Sequence, residues 1–99
     1  MANVYIYHSF KLKEGVSAQD FLLAAEKINS DPNLKPIGFI SSKLLADGDT
    51  WADILIYESM EDFINANDST HENPLVNEYI SFIDKASITS HRFTVVAES

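Results

Sequence analysis

Apolar and polar residues alternate along the first segment of the chain, residues 4–12. One side of this segment carries His8 and Phe10, and the other side carries Tyr5 and Tyr7. A period of two with β-branched and aromatic residues predicts a β-strand. Both sides of the strand are bulky, so neither has the composition of a surface that simply faces water.

A helix is predicted after this strand. Ser17, with Asp20 three residues later, is close to a capping box in which Asp replaces the usual Glu or Gln. Apolar residues then recur at helical spacing over residues 21–28. The helix is expected to end near Asn29, because Asp31 precedes a proline and is disfavoured in the α conformation.

Two strands joined by a tight turn are predicted next. They span Pro36 to Ala46 and Thr50 to Glu58. Between them, Asp47-Gly48-Asp49 is typical of a hairpin, because Gly adopts positive φ at little cost. One side of the third strand carries Asp53 and Tyr57, and its other side carries isoleucines.

The last third of the chain predicts a helical region and a final strand. Ser59 is a candidate N-cap, and residues 67–73 are expected to form a polar loop or an irregular helical turn. Pro74 suits the first turn of a helix whose apolar stripe runs to Ile83. The last strand is expected over residues 86–96.

The order of these elements is strand, helix, strand, strand, helical region, strand. This order predicts an α+β fold of the ferredoxin-like βαββαβ type, with helices over one face of a four-stranded antiparallel sheet. No linker or repeat interrupts the 99 residues, so one domain is expected. Every strand has apolar residues on both faces, and helices of one chain cover only one face. The uncovered face would be a large apolar patch, which predicts a homodimer.

Composition narrows the classes of function. Fifteen acidic and seven basic residues give a net charge of −8, which makes nucleic acid and membrane surfaces unexpected partners. The absence of Cys excludes disulfides and thiolate chemistry, and the three His lack metal-binding spacing, so no metal or other cofactor is expected. No apolar run reaches the ~20 residues of a membrane span, and no leader pattern is present, so a cytoplasmic location is expected.

Two stretches, His8 to Ser17 and Trp51 to Phe63, resemble the dimeric α/β-barrel superfamily. The second stretch is similar to the antibiotic-biosynthesis-monooxygenase type, with an aromatic strand end followed by Ser-x-Glu and a helix. The first stretch also resembles the stress-responsive α/β-barrel proteins, which often carry a strand-one His before Phe-Lys-Leu-Lys. The resemblance implies a homodimer with a ligand pocket between sheet and helices in each subunit.

Members of this superfamily include cofactor-independent monooxygenases of aromatic polyketides and haem-degrading enzymes. The chain departs from both patterns. Haem-degrading relatives place an Asn at the position of His8, a Trp at Ala66 and a His near Val76. Monooxygenase-type relatives often have Ala-His where this chain has Ala66-Asn67. Any site is therefore expected to use a different set of residues.

The candidate catalytic residues are His8, Asp53 and Tyr57. A partly buried imidazole can move a proton near neutral pH, although a satisfied core or interface His is the plainer alternative. Asp53 lies among bulky neighbours, where a carboxylate is costly unless paired; it is a candidate acid or base, an exposed residue, or a structural partner of Lys43 or Arg92. Tyr57 either donates its hydroxyl to a ligand oxygen or packs in the core.

The candidate ligand-binding residues are Trp51, Phe10, Asn67, His71 and His91. His71 lies in the predicted polar loop, which is either a pocket lid or a plain surface loop. His91, on the last strand, could reach a subunit interface.

Two functions remain open from the sequence. The first is a cofactor-free oxygenase or isomerase for a small planar aromatic compound, in which His8 or Asp53 removes a proton and the carbanion reacts with oxygen. The second is a non-catalytic dimer that binds a small lipophilic molecule or stabilises a partner. A His–Asp or His–Tyr pair that converges on one cavity would favour the enzyme.

Overall fold

A computed structural model describes residues 3–98, so Met1, Ala2 and Ser99, which the expected domain and leader assignments include, lie outside it. Within that range the chain forms four strands and three α-helices, with a short 3-10 turn at Pro32–Leu34. The elements are β1 (Val4–Leu12), α1 (Ala18–Asn29), β2 (Phe39–Asp47), β3 (Thr50–Tyr57), α2 (Met60–Thr70), α3 (Pro74–Ser81) and β4 (Ile83–Thr94). The strands form one antiparallel sheet in the order β2-β3-β1-β4. The predicted α+β, ferredoxin-like fold is confirmed.

Each α-helix begins at a side-chain cap. Ser17, Ser59 and Asn73 accept a hydrogen bond from a backbone N–H in the first turn of α1, α2 and α3 respectively. Such a cap stabilises a helix by ~1 kcal/mol. The predicted caps at Ser17 and Ser59 are confirmed, and Pro74 occupies the first turn of α3 as its fixed φ favours.

The helix α2 extends further than the sequence predicts. A polar loop or an irregular helical turn was expected from Asn67 to Asn73, and the regular helix continues to Thr70. The hydroxyls of Ser69 and Thr70 both donate to the carbonyl of Ala66 at 2.9 Å. The hydroxyls of this polar last turn therefore find their acceptor within the helix itself.

The boundaries of β2 and β4 also differ from expectation. The strand β2 begins at Phe39 rather than Pro36, because Gly38 turns the chain with a φ of +86°. A side chain at position 38 would overlap Asp62, so the turn also requires glycine for close packing. The strand β4 begins at Ile83, which the sequence pattern assigned to the preceding helix; Ile83 is buried.

The helices cover one face of the sheet, here called the covered face, which carries Ile6, His8 and Phe10 of β1. The other face, here called the open face, carries aromatic and β-branched residues from three strands: Tyr5, Tyr7, Ile54, Ile56, His91 and Phe93. The buried core consists of Val4, Ile6, Phe10, Phe21, Ala24, Tyr57, Phe63, Ala66 and Ile83. Because core residues alternate with the open-face residues along each strand, the core lies on the covered side alone.

Candidate functional site

A cavity of about 420 Å³ lies between the covered face and the helices. Its size is within the range of roughly 300–1,000 Å³ in which proteins bind small organic ligands. The sheet side of the cavity contains one row of four residues, one from each strand, that are paired neighbours: Leu44, Asp53, His8 and Ser90. We refer to these four residues as the floor row.

The floor row passes between two separate parts of the core. On β1, His8 stands between Ile6 and Phe10, which are both nearly inaccessible. Ile6 belongs to one buried cluster with Phe63, and Phe10 belongs to another with Phe21. The strand therefore fixes the backbone of His8 from both sides, while its ring faces the gap that the two clusters leave.

His8 and Asp53 are directly opposite each other in the β1–β3 pairing. The Nδ1 of His8 lies 2.7 Å from Oδ1 of Asp53. A carboxylate only accepts hydrogen bonds, so Nδ1 carries the proton and donates it to Asp53. Among residues 3–98, no protein group forms a hydrogen bond with the second ring nitrogen, Nε2. Nε2 is then an acceptor available to a molecule in the cavity.

Tyr79 of α3 completes the surroundings of Asp53. Its hydroxyl donates to Oδ2 of Asp53 over 3.0 Å, so each carboxylate oxygen has one donor. Burial raises the pKa of the Tyr79 hydroxyl far above its ordinary value, and the nearby Asp53 charge and hydrogen bond raise it further. Tyr79 is therefore a neutral donor at any physiological pH.

The ion pairs considered for Asp53 in the sequence do not form. The guanidinium of Arg92 lies over the ring of Phe63, 4.9 Å from its centre. Lys43 is on the edge strand, and within residues 3–98 it has no carboxylate within 4 Å. Asp53 is instead partnered by an imidazole and a phenol, and its side chain is only 19% exposed.

Five of the residues singled out in the sequence come together at the cavity: His8, Phe10, Asp53, Tyr57 and Asn67. Tyr57 is 6% exposed and packs edge-on against Phe39 and Phe63, with ring centres 5.6 Å apart in both pairs. Burial raises the pKa of its hydroxyl, which therefore remains protonated. The packing alternative describes most of the Tyr57 ring, and its hydroxyl is near the cavity.

Three other candidates lie away from the cavity. Trp51 is on the covered face, but its ring packs on Phe21 with 5.1 Å between centres. His71 ends α2, where Nδ1 donates to the carbonyl of Asp68 at 2.7 Å and the ring is exposed. His91 is on the open face and stacks on Phe93, so the sheet separates it from the cavity.

Tyr79 and Ser90 are two of the cavity residues that the sequence did not single out. Tyr79 was one member of an apolar helical stripe with Val76 and Ile80. A buried tyrosine in such a stripe needs a partner for its hydroxyl, and this was the available signal. The alternation along β4 does not by itself identify Ser90 as a cavity residue. That assignment also requires its pairing with His8.

No group of three His, Asp or Glu side chains within residues 3–98 is arranged to hold a metal ion. None of the helices in the described part of the chain is long and apolar enough to cross a membrane.

Comparison with known proteins gives structural matches alone. No family model matches the chain, and no curated protein sequence matches it significantly. A point mutant of SnoaB, a cofactor-independent oxygenase from Streptomyces nogalater, superposes with a TM-score of 0.68 at 15% identity, over 98% of this chain and 94% of that one. A candidate antibiotic biosynthesis monooxygenase from Nitrosomonas europaea gives 0.75 at 8% identity, over 95% and 90%.

A dimeric ferredoxin-like protein from an uncultured marine organism gives a TM-score of 0.74 at 16% identity, over 100% of this chain and 92% of that one. The resemblance in fold to the dimeric ferredoxin-like proteins of the antibiotic-biosynthesis-monooxygenase type is thereby confirmed. At these identities the matches define the fold, since one fold hosts many functions.

Proposed function

We propose that this protein is a cofactor-independent oxygenase of small aromatic compounds, with the cavity as its active site and His8 as its general base. The observation that carries the proposal is the 2.7 Å pair of His8 and Asp53 in the wall of a largely apolar cavity. The pair matches the arrangement in which a carboxylate orients a histidine and supports its positive charge after proton transfer. The named activity of SnoaB, which shares the fold, supports the same class.

The reaction begins with proton transfer to His8. The Nε2 of His8 removes a proton from an activated CH₂ group of the substrate, and the electron pair spreads into the aromatic ring. The carbanion bonds to one atom of O₂, and the resulting peroxide takes the proton back from His8. The remaining C–H bond and the O–O bond of the hydroperoxide then break, water leaves, and a ketone is formed. The CH₂ group supplies all four electrons that reduce O₂, so no other reductant takes part.

The walls of the cavity suit a planar substrate. Phe39 presents aromatic surface beside the largely buried rings of Phe10 and Tyr57, and such surfaces stack favourably with other rings. Tyr57 and Asn67 supply polar groups that can bond to a substrate oxygen. An apolar surrounding also strengthens the interaction between the Asp53 charge and the protonated His8 that forms during the reaction.

The same proposal includes a homodimer through the open face. Tyr5 and Phe93 of that face are 38% and 55% exposed, and the central residues Tyr7, Ile54 and Ile56 lie beside them. A structural neighbour with this fold is a dimer. Pairing of two open faces would remove the patch from water.

The test is oxygen uptake with anthrone-type and quinol-type compounds. We expect turnover by the wild type and a loss of about 10²–10⁴-fold in His8→Ala, the usual contribution of a general base. Ser9→Ala is the matched control, because Ser9 follows His8 on the same strand and faces the other side of the sheet. Equal rates in His8→Ala and the wild type would overturn the assignment of His8.

A non-catalytic binding protein is the second candidate. It is favoured by the full satisfaction of Asp53, which a purely structural pair would also show. One experiment distinguishes the two functions. If an aromatic compound binds, as measured by the fluorescence of Trp51, and no compound of the panel supports oxygen uptake, the binding protein is supported and the oxygenase is rejected.

A further inference from the structure

We infer that Tyr79 is a positioning residue, whose hydroxyl holds the Asp53 carboxylate in the one orientation that keeps the His8 ring as a base toward the cavity. The catalytic part of this inference rests on the proposed function. The structural part, which concerns the proton on the His8 ring, does not depend on any reaction.

The carboxylate of Asp53 is anchored at both oxygens by different elements of the fold. Oδ1 accepts from His8 on β1 at 2.7 Å, and Oδ2 accepts from Tyr79 on α3 at 3.0 Å. The torsion that turns a carboxylate about its Cβ–Cγ bond is broad and weakly restricted. One anchor leaves this rotation open, whereas two anchors on opposite sides fix the plane of the group.

Tyr79 is itself well fixed. Its ring centre lies 4.8 Å from that of Phe21 and 6.4 Å from that of Phe10, so it is packed against the core beside the cavity. The helix that carries it starts at a defined point, with the Asn73 side chain as cap and Pro74 in the first turn. The hydroxyl is therefore aimed at Asp53 by the packing of the whole ring.

The second anchor has a chemical consequence for Asp53. With one donor on each oxygen, both oxygens of the Asp53 carboxylate are already paired in a position where its side chain is only 19% exposed. His8 is left as the group that accepts a proton. Nδ1 stays protonated because its partner can only accept, and the lone pair stays on Nε2.

Without the hydroxyl of Tyr79, the carboxylate gains a free oxygen and a free rotation. Part of the population then turns Oδ1 away from His8, and the ring proton is no longer held on Nδ1. A ring with the proton on Nε2 has no acceptor toward the cavity and cannot remove a proton there. Tyr79 thus acts on the substrate only through Asp53 and His8.

The test is the tautomer of His8, read from the two ring ¹⁵N resonances in long-range ¹H–¹⁵N spectra of labelled protein without any substrate. We expect a single Nδ1–H form in the wild type and a mixture with Nε2–H in Tyr79→Phe, which keeps the packed ring. Asp53→Asn is the positive control, because its amide can donate to Nδ1 and move the proton to Nε2.

Tyr57→Phe is the matched negative control for this measurement. It makes the same substitution at another buried tyrosine that lines the cavity but does not bond to Asp53. We expect its His8 tautomer to equal that of the wild type. If Tyr79→Phe also keeps the pure Nδ1–H form while Asp53→Asn changes it, Asp53 alone holds the ring and the role of Tyr79 is overturned.

A measurement on the wild type covers the case in which Tyr79→Phe does not fold. A phenol proton shared with a shielded carboxylate exchanges slowly with water, so we expect a resolved hydroxyl resonance for Tyr79 with a cross-peak to Asp53. Its absence from spectra that show the His8 Nδ1 proton would overturn the inference.

The catalytic part is tested by oxygen uptake in Tyr79→Phe. We expect kcat to fall about 10–100-fold, as for other residues that orient a catalytic group, while KM stays unchanged. If no compound supports uptake in the wild type, the oxygenase proposal fails and the tautomer still decides the inference. A changed KM with an unchanged kcat would contradict the positioning role.

Discussion

The two faces of the sheet use the same strands for different purposes, and two histidines show the difference. His8 faces the helices and its ring meets a carboxylate at 2.7 Å. His91, on the adjacent strand, faces the open side and stacks on Phe93, with ring centres 5.6 Å apart. In the proposed function the first ring transfers a proton, whereas the second is one aromatic surface among several. The type of residue is the same, so its partner atoms decide what it can do.

The faces also differ in how they bury apolar groups. Every core residue of β1 lies on the covered face, where Phe21 and other helical residues close over the sheet. The open face has comparable apolar residues but no covering element among residues 3–98. The covered face therefore stabilises the monomer and holds the cavity, and the open face is the proposed dimer surface.

The largest expected effect tests where the core lies. Phe21 is fully buried, and Phe21→Ala is expected to lower the free energy of unfolding by about 3–5 kcal/mol. Phe93→Ala removes the same ring from the open face, where it is 55% exposed, and should cost less than about 1 kcal/mol in the monomer. Urea unfolding measures both free energies, at a protein concentration low enough to dissociate any dimer. Equal losses would mean that the two faces contribute alike.

The next effect concerns chemistry on the covered face. Asp53→Asn keeps the size of the side chain but allows it to donate to His8, and turnover should fall about 100-fold or more, a barrier increase near 2.7 kcal/mol. Asp49→Asn is the control, since Asp49 lies in the exposed hairpin turn. Steady-state oxygen uptake measures both. Full activity in Asp53→Asn would show that the pair with His8 is structural.

A charge on the open face is expected to act on association alone. Ile54→Lys places an ammonium group in the centre of the proposed interface and should weaken dimerisation about 30-fold or more, near 2 kcal/mol. Ile64→Lys on α2, which is already 44% exposed, is the control. Sedimentation over a concentration series measures the dimer, and tyrosine and tryptophan spectra report the cavity face. An unchanged dimer would place the interface elsewhere.

The smallest effect appears at alkaline pH. Burial raises the pKa of Tyr79 in the folded protein, whereas tyrosine in the unfolded chain ionises near pH 10. The contribution of the Tyr79 hydroxyl to the free energy of unfolding is fully present below pH 10. It declines as the pH rises above 10, by ~1 kcal/mol between pH 10 and 11. Tyr79→Phe lacks this loss, so its unfolding free energy should fall less steeply than that of the wild type. If the unfolding free energies of the two proteins fall in parallel as the pH rises, the hydroxyl is not buried as described.

The sequence predicted most elements because their patterns are local. Alternation defined β1, and the serine caps at Ser17 and Ser59 defined two helix starts. The end of α2 was missed because its last turn is polar, and composition does not show that the hydroxyls of Ser69 and Thr70 bond back to Ala66 within the helix. These errors concern ends of elements, where few residues carry the signal.

The sequence singled out five residues that line the cavity, but not how they are arranged. His8 and Asp53 were both candidates, yet their contact depends on the register of β1 against β3, which are not consecutive strands. Register between distant strands follows from the packing of both faces, and the sequence left open which face the helices cover. For the same reason His91 was a candidate ligand residue until the sheet placed it on the other side.

The floor row has a further consequence for the order of events during synthesis. It joins His8, near the start of the chain, to Asp53 in the middle and Ser90 near the end. Contacts between such distant positions form late, because the intervening chain must first be closed into loops. A nascent chain that lacks β4 therefore has the histidine but no complete cavity, so the proposed base would gain its surroundings only when the whole domain has folded.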